Sequence, residues 1–442
     1  MLKLTFRGGV HPPGYKELTQ KEKITSLLKF EKIYLPLAQH TGSICSPLIQ
    51  VGDVVQKGQK IAEGQGFITA GVHASVSGEV IAIEEMATPT GGFVPCIVIQ
   101  NDGKDEWHHS VKAQSQPGNL TAKQLREIVR EAGIVGLGGA AFPTHVKYDI
   151  PEGKKVNTVI INGAECEPYL TADYRLMLED AESIIKGLKY IMKMVDCNQG
   201  IIAVEDNKLD AYQILSEAAK DNPQISVVLC KTKYPQGSEK HLIKACTGQE
   251  LPFGKLPVDL GIVMNNVGTA VAVCQAVEKG IPLVSRVVTV SGDGVKKPGN
   301  YLVPVGTLIS DLIAYCGGFT GEIAKIIAGG PMMGKALFTA NMPIVKGTSG
   351  ILVLKQKETK QEKERNCVRC AKCVDACPLK LMPTDLVTLA KQKNWAEMEE
   401  NKALHCIECG SCAYVCPAHI PLVQYICHGK REIKASKTAA TN

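Results

Sequence analysis

The chain has 442 residues, 45% of them hydrophobic and 21% charged, and a net charge of +6. At roughly 150 residues per domain this suggests about three domains, and the composition excludes a largely disordered chain. The absence of any apolar run of about 18 residues excludes a membrane-spanning helix. With 5% aromatic residues and no basic cluster interleaved with aromatics, nucleic-acid binding has little support.

The opening stretch Met1-Leu2-Lys3-Leu4-Thr5-Phe6-Arg7-Gly8 has no apolar segment of signal-peptide length, so the protein is expected to stay in the cytoplasm. Residues 1–115 read as β-rich, with short alternating strands broken by Gly-Asp and Lys-Gly turns, as in Val51–Ile61 and His73–Ile83. This pair resembles the two halves of a lipoyl/biotinyl-type domain, a barrel-sandwich. The intervening segment, Gly64 to Val72, has no lysine to modify, so a structural module is expected and not a swinging arm.

Residues 116–283 alternate helix and strand. Thr121-Ala122-Lys123-Gln124 is a capping box. Leu125, Ile128, Val129 and Ala132 then share one helix face, and Gly133 stops the helix. Strands are expected at 156–161, 201–204 and 225–230, with helices at 173–194 and near 210–220, giving α/β layers on a mostly parallel sheet. Residues 284–354 return to short strands and turns. Residues 355–365 mix both charges and read as a linker. A cysteine-rich block spans 366–428, with a helix near 384–402. Residues 429–442 form a basic tail; from position 428 the chain carries His428, Lys430, Arg431, Lys434 and Lys437. It reads as a soluble tail, with docking to an acidic partner or an anionic membrane surface as the alternative.

Of 17 cysteines, nine fall between 367 and 427. An odd count and tight spacing argue for metal ligation over disulfides. One motif occurs twice: Cys367-x2-Cys370-x2-Cys373-x3-Cys377-Pro378 and Cys406-x2-Cys409-x2-Cys412-x3-Cys416-Pro417. Three closely spaced thiolates wrap three corners of an iron–sulfur cube, and the fourth, before proline, serves the other cluster. One [4Fe–4S] cluster is therefore expected on Cys367, Cys370, Cys373 and Cys416, and a second on Cys406, Cys409, Cys412 and Cys377. Structural zinc sites, the competing reading, use paired CxxC or Cys and His without this run. Cys427 lies outside the pattern and reads as a buried or free thiol.

Gly136-Leu137-Gly138-Gly139-Ala140-Ala141-Phe142-Pro143 matches G-x-G-x-x-A but follows a helix, so it fails the context of a Rossmann site. Its glycines still suit a backbone that approaches a phosphate or flavin, and Lys147 follows at a distance suited to an anion. Asn162-Gly163-Ala164-Glu165-Cys166-Glu167-Pro168 comes just past a buried strand, where α/β sheets bind ligands.

With Gly237-Ser238-Glu239 and Asn265-Asn266-Val267-Gly268-Thr269, these loops occur in the same order as in the FMN- and NADH-binding subunit of respiratory complex I. The chain as a whole more closely resembles the RnfC-type subunit of the Rnf ion-translocating ferredoxin:NAD oxidoreductases. Gly8-Gly9-Val10-His11-Pro12-Pro13 is similar to the N-terminal signature of that family, and the doubled cysteine motif is similar to its C-terminal part. Segment 285–335 resembles a soluble-ligand-binding β-grasp module.

The resemblance implies FMN lined by Gly136, Gly138, Gly139 and Lys147, with Asn162 and Glu165 at its ring or ribityl chain. Gly237, Ser238, Glu239, Asn265, Asn266 and Thr269 would complete the pocket, and Phe142 and Glu167 would lie near NAD(H). It further implies a peripheral subunit on the cytoplasmic side of the cell membrane. Such a subunit would meet the membrane only through partners, among them the membrane subunits and the ferredoxin-like subunit of an Rnf complex. Four positions depart from complex I, which has arginine for Leu137, glycine for Ala141, and acidic residues for Ala164 and Ser238. Two rivals stand beside this reading: a cobalamin reductase of the propanediol-utilisation type, and a non-catalytic ferredoxin-like wire.

Overall fold

The computed structural model describes residues 4–27, 29–359 and 362–441. The first three residues of the opening stretch, Lys360 and Gln361 of the charged tract, and Asn442 of the tail lie outside the described residues.

The central sheet contains Ile225–Cys230, Gly200–Glu205, Thr158–Gly163 and Ile262–Asn266 in that spatial order, and every neighbouring pair is parallel. Parallel strands of this kind are buried on both faces. In Thr158–Gly163, Val159 and Ile161 enter one core with Leu188, Val204 and Val263, while Ile160 enters the other with Ala203, Ile262 and Met264. On the first face, Ala181–Met194 lies directly on Val267–Lys279. Gly187 permits this approach, since a methyl there would stand 2.0 Å from the Ala270 carbonyl oxygen. The helix Ala122–Glu131 begins with both bonds of the Thr121/Gln124 capping box, and Gly133 follows it at φ +60°.

Two helical patterns divide. The stretch expected as one helix at 173–194 is Ala172–Glu179 and Ala181–Met194, parted at Asp180 with φ −141° and ψ 42°. Aspartate leaves helical geometry readily. The stretch near 384–402 is Pro383–Lys391 and Trp395–Glu400, parted by Lys393 at φ +57° and by Asn394, which caps the second helix through Glu397 N.

The barrel-sandwich strands begin at Lys32. One antiparallel sheet orders Lys32–Pro36, Phe93–Asn101, Gly78–Ala87 and Val54–Val55, and the other contains Cys45–Pro47, Lys60–Gly64 and Val72–His73. Within the β-rich module expected over 1–115, residues 4–27 contribute no strand to these two sheets and reach toward other parts of the chain. Leu4 bridges to Cys230 and Val10 to Tyr234, and Gly9 N bonds the Ala376 carbonyl. Ile24–Ser26 adds an edge strand, parallel to Gly299–Pro304, to the third domain. That six-stranded sheet continues through Ser285–Ser291, Gly350–Lys355, Ile323–Ala328 and Lys335–Leu337.

The C-terminal block is helical around Leu386, Met398, Leu422, Ile426 and Ile433. The basic tail is part of one helix, Leu422–Thr441, and its Arg431, Lys434 and Lys437 are exposed. An apolar stripe seats the helix on the block: Ile426 and Ile433 are buried, and Gly429 rests on Met398. The charged tract joins this block too, since Glu364 pairs with Lys391 at 2.6 Å and Arg365 N bonds the Ala418 carbonyl. No helix among the described residues is long and apolar enough to cross a membrane.

Candidate functional site

The glycine loop is closed by its own backbone. Val135 and Pro143 form a bridge, and Gly136 N donates to the Phe142 carbonyl at 2.8 Å. Its tip, Gly138 to Ala140, is exposed. Gly139 adopts φ +100°, with no heavy atom within 4 Å of where a Cβ would stand, so the tip faces open space. Two residues at the start of Val267–Lys279 hold the loop. Leu137 N donates to Thr269 Oγ1 at 3.0 Å, and Gly138 approaches Asn266. Asn266 caps this helix through Gly268 N at 2.8 Å and donates to Asp173 at 2.6 Å.

The other predicted loops meet at the carboxyl ends of the same strands. Asn162 Nδ2 donates to the Gly237 carbonyl at 2.7 Å, and a methyl on Gly237 would strike the Ala164 oxygen at 2.2 Å. Lys147 Nζ reaches Glu239 at 3.4 Å and the Met264 carbonyl at 3.1 Å. Ser238 caps Glu239–Thr247 by position, without a side-chain bond. Asn265 is 5% exposed, and its amide nitrogen finds no well-aligned acceptor among the described residues; its neighbour is the buried Tyr148 hydroxyl. A buried amide held only loosely by Tyr148, one residue before the Asn266 that Gly138 approaches, fits a polar heteroaromatic ligand such as a flavin.

The two predicted carboxylates do not simply face that space. Glu165 accepts from Asp173 N at 2.9 Å and Tyr174 N at 3.3 Å, capping Ala172–Glu179. Glu167 turns to the third domain, accepting from Met332 N at 3.1 Å and Met333 N at 2.9 Å. Gly330 makes room for it, since a Cβ there would lie 2.3 Å from its carboxylate. Burial pushes the Glu167 carboxyl up to about 7, against the pull of those two amides. Phe142 serves the loop through its backbone.

Several residues at the site escaped the sequence reading. Asp173 is raised to about 7, first by burial and then by Glu165. Arg286, from the third domain, is buried and donates to the Lys346 carbonyl and, at 3.5 Å, to the Leu137 carbonyl. It brings a guanidinium to the residue where complex I carries arginine. Lys346 is 1% exposed, and its amine bonds Gly71 O and Gly133 O, tying the barrel to the helix end before the glycine loop. A charged residue inside the apolar run Ser285–Ser291 was the one available signal for Arg286.

The cysteines surround two pockets. Cys367, Cys370, Cys373 and Cys416 line one of about 330 Å³, and Cys377, Cys406, Cys409 and Cys412 line one of about 360 Å³. The thiols stand around a space and do not converge on a single-ion point, and aliphatic side chains such as Leu381 and Ile426 complete the second wall. Four thiols around an apolar cavity suit a cluster. The first ring is open, with Cys367 and Cys370 exposed. In the second, Cys409 and Cys412 are buried, and this ring abuts the α/β domain. Tyr234 Oη donates to the Cys409 carbonyl at 2.7 Å, and His241 Nε2 lies 3.3 Å from the Pro378 carbonyl.

Comparison with known proteins agrees with this layout. Residues 4–104 match the RnfC barrel sandwich hybrid domain, 129–275 the Nuo51 FMN-binding domain, 287–336 the SLBB domain, and 366–420 the 4Fe-4S dicluster domain. Chains of an NAD+-reducing [NiFe]-hydrogenase share the fold at 19% identity, with TM-scores of 0.51 and 0.53 over 75% and 71% of this chain and 69% and 64% of theirs. Fold and sites together define a multidomain electron-transfer protein that joins an FMN-binding-type domain to a dicluster domain.

The RnfC-type subunit of the proton-translocating ferredoxin:NAD(+) oxidoreductase complex of Clostridium ljungdahlii is 47% identical, covering 99% of this chain and 95% of the relative. Its counterpart in the Na(+)-translocating complex of Acetobacterium woodii is 46% identical, covering 98% of each. The chain belongs to this family, the RnfC-type subunits of the ion-translocating ferredoxin:NAD(+) oxidoreductase complexes.

Proposed function

We propose that the chain is the peripheral NADH-oxidising, or NAD-reducing, subunit of a membrane-bound Rnf-type complex, passing electrons between NAD(H) and partner subunits. The observation that carries this reading is the direct seat of the second thiol ring on the α/β domain through Tyr234 and His241, with Val10 of the N-terminal segment packed beside Tyr234. FMN, when bound, takes two electrons together from a nicotinamide and releases them singly, and clusters carry one at a time.

The residues of this chain supply the frame. Gly136, Gly138 and Gly139 leave a backbone cradle, the buried Asn265 amide beside Tyr148 offers a donor, and Lys147 brings positive charge against Glu239. Asn162, Gly237 and Ser238 shape the far wall, and Glu165, Asn266 and Thr269 fix the helix ends that hold it. Glu167 and Phe142 stand at the nucleotide side, Glu167 by tying the 330–334 loop in place. Functional units at 1–115, 116–283, 284–354 and 366–428 follow, with residues 4–27 lacing them.

The ring of Cys377, Cys406, Cys409 and Cys412 is the inner station. The ring of Cys367, Cys370, Cys373 and Cys416 is the outer one, because its exposed thiols and exposed Val368 leave a face open to a partner such as the ferredoxin-like subunit of the complex. The basic helix end, with Arg431, Lys434 and Lys437, guides docking on the cytoplasmic side of the membrane. Relatives at nearly equal identity are named for protons and for sodium, so overall likeness does not choose the coupling ion.

The test is anaerobic. Full-length chain holding FMN and both clusters should bleach on NADH addition and then show reduced-cluster spectra. Flavin that stays oxidised under excess NADH overturns this reading in favour of the electron wire.

A further inference from the structure

The helix Leu422–Thr441 passes the inner ring, and one of its lysines enters the ligand loop. Lys430 is 9% exposed. Its amine donates to the Cys406 carbonyl at 2.7 Å and also to Glu408. Both acceptors belong to the loop of the second motif, and the Glu408 amide itself donates to Cys406 Sγ at 3.3 Å. The ion pair is lopsided: the Lys430 side chain is 11% exposed and that of Glu408 44%. Water screens the exposed carboxylate far more than the buried ammonium, so the pair leaves a net positive field on the thiol side. At the outer ring the neighbouring cations Arg369 and Lys372 are exposed, and their fields are screened.

Adding an electron to a cluster adds negative charge. Net charge and hydrogen bonding around the sulfurs are levers on its reduction potential. We propose that Lys430 sets the potential of the inner cluster, its buried charge raising that potential above what the cysteines alone would give, with Glu408 as the partial counterweight. The inference rests on the assignment of clusters to the two rings. Lys430 acts through the field and through the Cys406 carbonyl, and is a positioning residue.

The experiment is a potentiometric titration, followed by electron paramagnetic resonance, of the full-length chain with both clusters. The signal lost in Cys409→Ala identifies the inner cluster. Lys430→Met should shift the reduction equilibrium of that cluster about tenfold toward the oxidised form, about 59 mV for a one-electron couple, and leave the other cluster unmoved. Glu408→Gln should shift the same cluster the opposite way, and Lys430→Arg should stay within about threefold of wild type. A merely structural role would move the Met and Gln variants in the same direction, or move both clusters, and either result overturns the proposal. Should Lys430→Met fail to hold its cluster, Glu408→Gln decides alone: an upward shift sustains the proposal and no shift ends it. Wild-type protein with iron for one cluster only would mean that the cluster assignment itself has failed.

Discussion

The two cysteine runs are copies in spacing, yet the fold gives them opposite surroundings. Cys367 and Cys370 stand at the surface beside Val368, which is 65% exposed. Cys409 and Cys412 are buried, with the Tyr234 hydroxyl on the Cys409 carbonyl, Met332 against Gly410 and Lys430 on the Cys406 carbonyl. Identical local chemistry thus yields an inner and an outer site. The difference comes from residues outside the runs, Tyr234 and Met332 from other domains and Lys430 from the block's last helix, so a repeat in sequence is not a repeat in surroundings.

The strongest way to break that comparison is to remove the cysteines that cross between the runs. Cys377 lines the pocket of the second run and Cys416 that of the first. Cys377→Ala should cut iron from about eight to about four per chain and remove the inner signal, while Cys416→Ala should remove the outer one. Iron analysis joined to the spectra of both variants checks this, and the opposite pairing of losses would show that the runs do not cross.

Next in size is the pH response of the seam that carries the inner ring. The Glu167 carboxyl is raised from 4.5 to about 7 because it is buried. A carboxyl that binds its proton more tightly when folded stabilises the fold fully below its unfolded pKa, and that stabilisation is lost as pH rises through the folded value. At about 1.4 kcal/mol per pH unit, the loss between pH 4.5 and 7 is about 3 kcal/mol. Thermal unfolding should therefore show Glu167→Gln gaining on the wild type as pH rises from 5 to 8. Parallel curves for the two proteins would remove Glu167 from the account.

Tyr234→Phe comes third. It deletes one buried bond from the α/β domain to the inner ring and leaves the Cys409 carbonyl without that partner, a cost of about 1–3 kcal/mol. The inner cluster should become easier to lose on mild chelation, with the outer one unchanged. Equal lability of the two clusters in the variant would mean that the inner ring does not depend on this seat.

What was legible in the sequence follows the range of each interaction. The cysteine spacing, the capping box at Thr121 and the buried strand at Thr158–Gly163 are local patterns, and the domain order could be read from them. Tyr234 meets Cys409 across 175 residues, and no periodicity records such a contact. The same holds for residues 4–27, whose turn-rich start hides that they lace three domains, and for Glu167, whose bonds to the 330–334 loop span about 165 residues. The tail's helix is hidden for a different reason. Its charges dominate the composition, while Ile426, Gly429 and Ile433, which decide its packing, are sparse.

The smallest effect is expected at the glycine loop, and it serves as the control for everything said of the rings. Gly139 sits at φ +100° with open space where a side chain would go, so Gly139→Ala meets no clash and costs only backbone strain, about 1–2 kcal/mol. Gly138 has no left-handed φ, and a methyl there would make ordinary contact with Asn266 at 3.6 Å, so Gly138→Ala should cost less than about 1 kcal/mol. If the tip cradles FMN, part of the Gly139 strain appears as weaker binding, up to about tenfold in Kd for 1.4 kcal/mol. Gly138→Ala should stay close to wild type. Fluorescence titration of FMN into flavin-depleted protein measures both. Because the loop touches neither ring, both variants should keep the inner and outer potentials of the wild type. A potential that moved with Gly139→Ala would show that the inner ring answers to the glycine loop as well as to Tyr234 and Lys430.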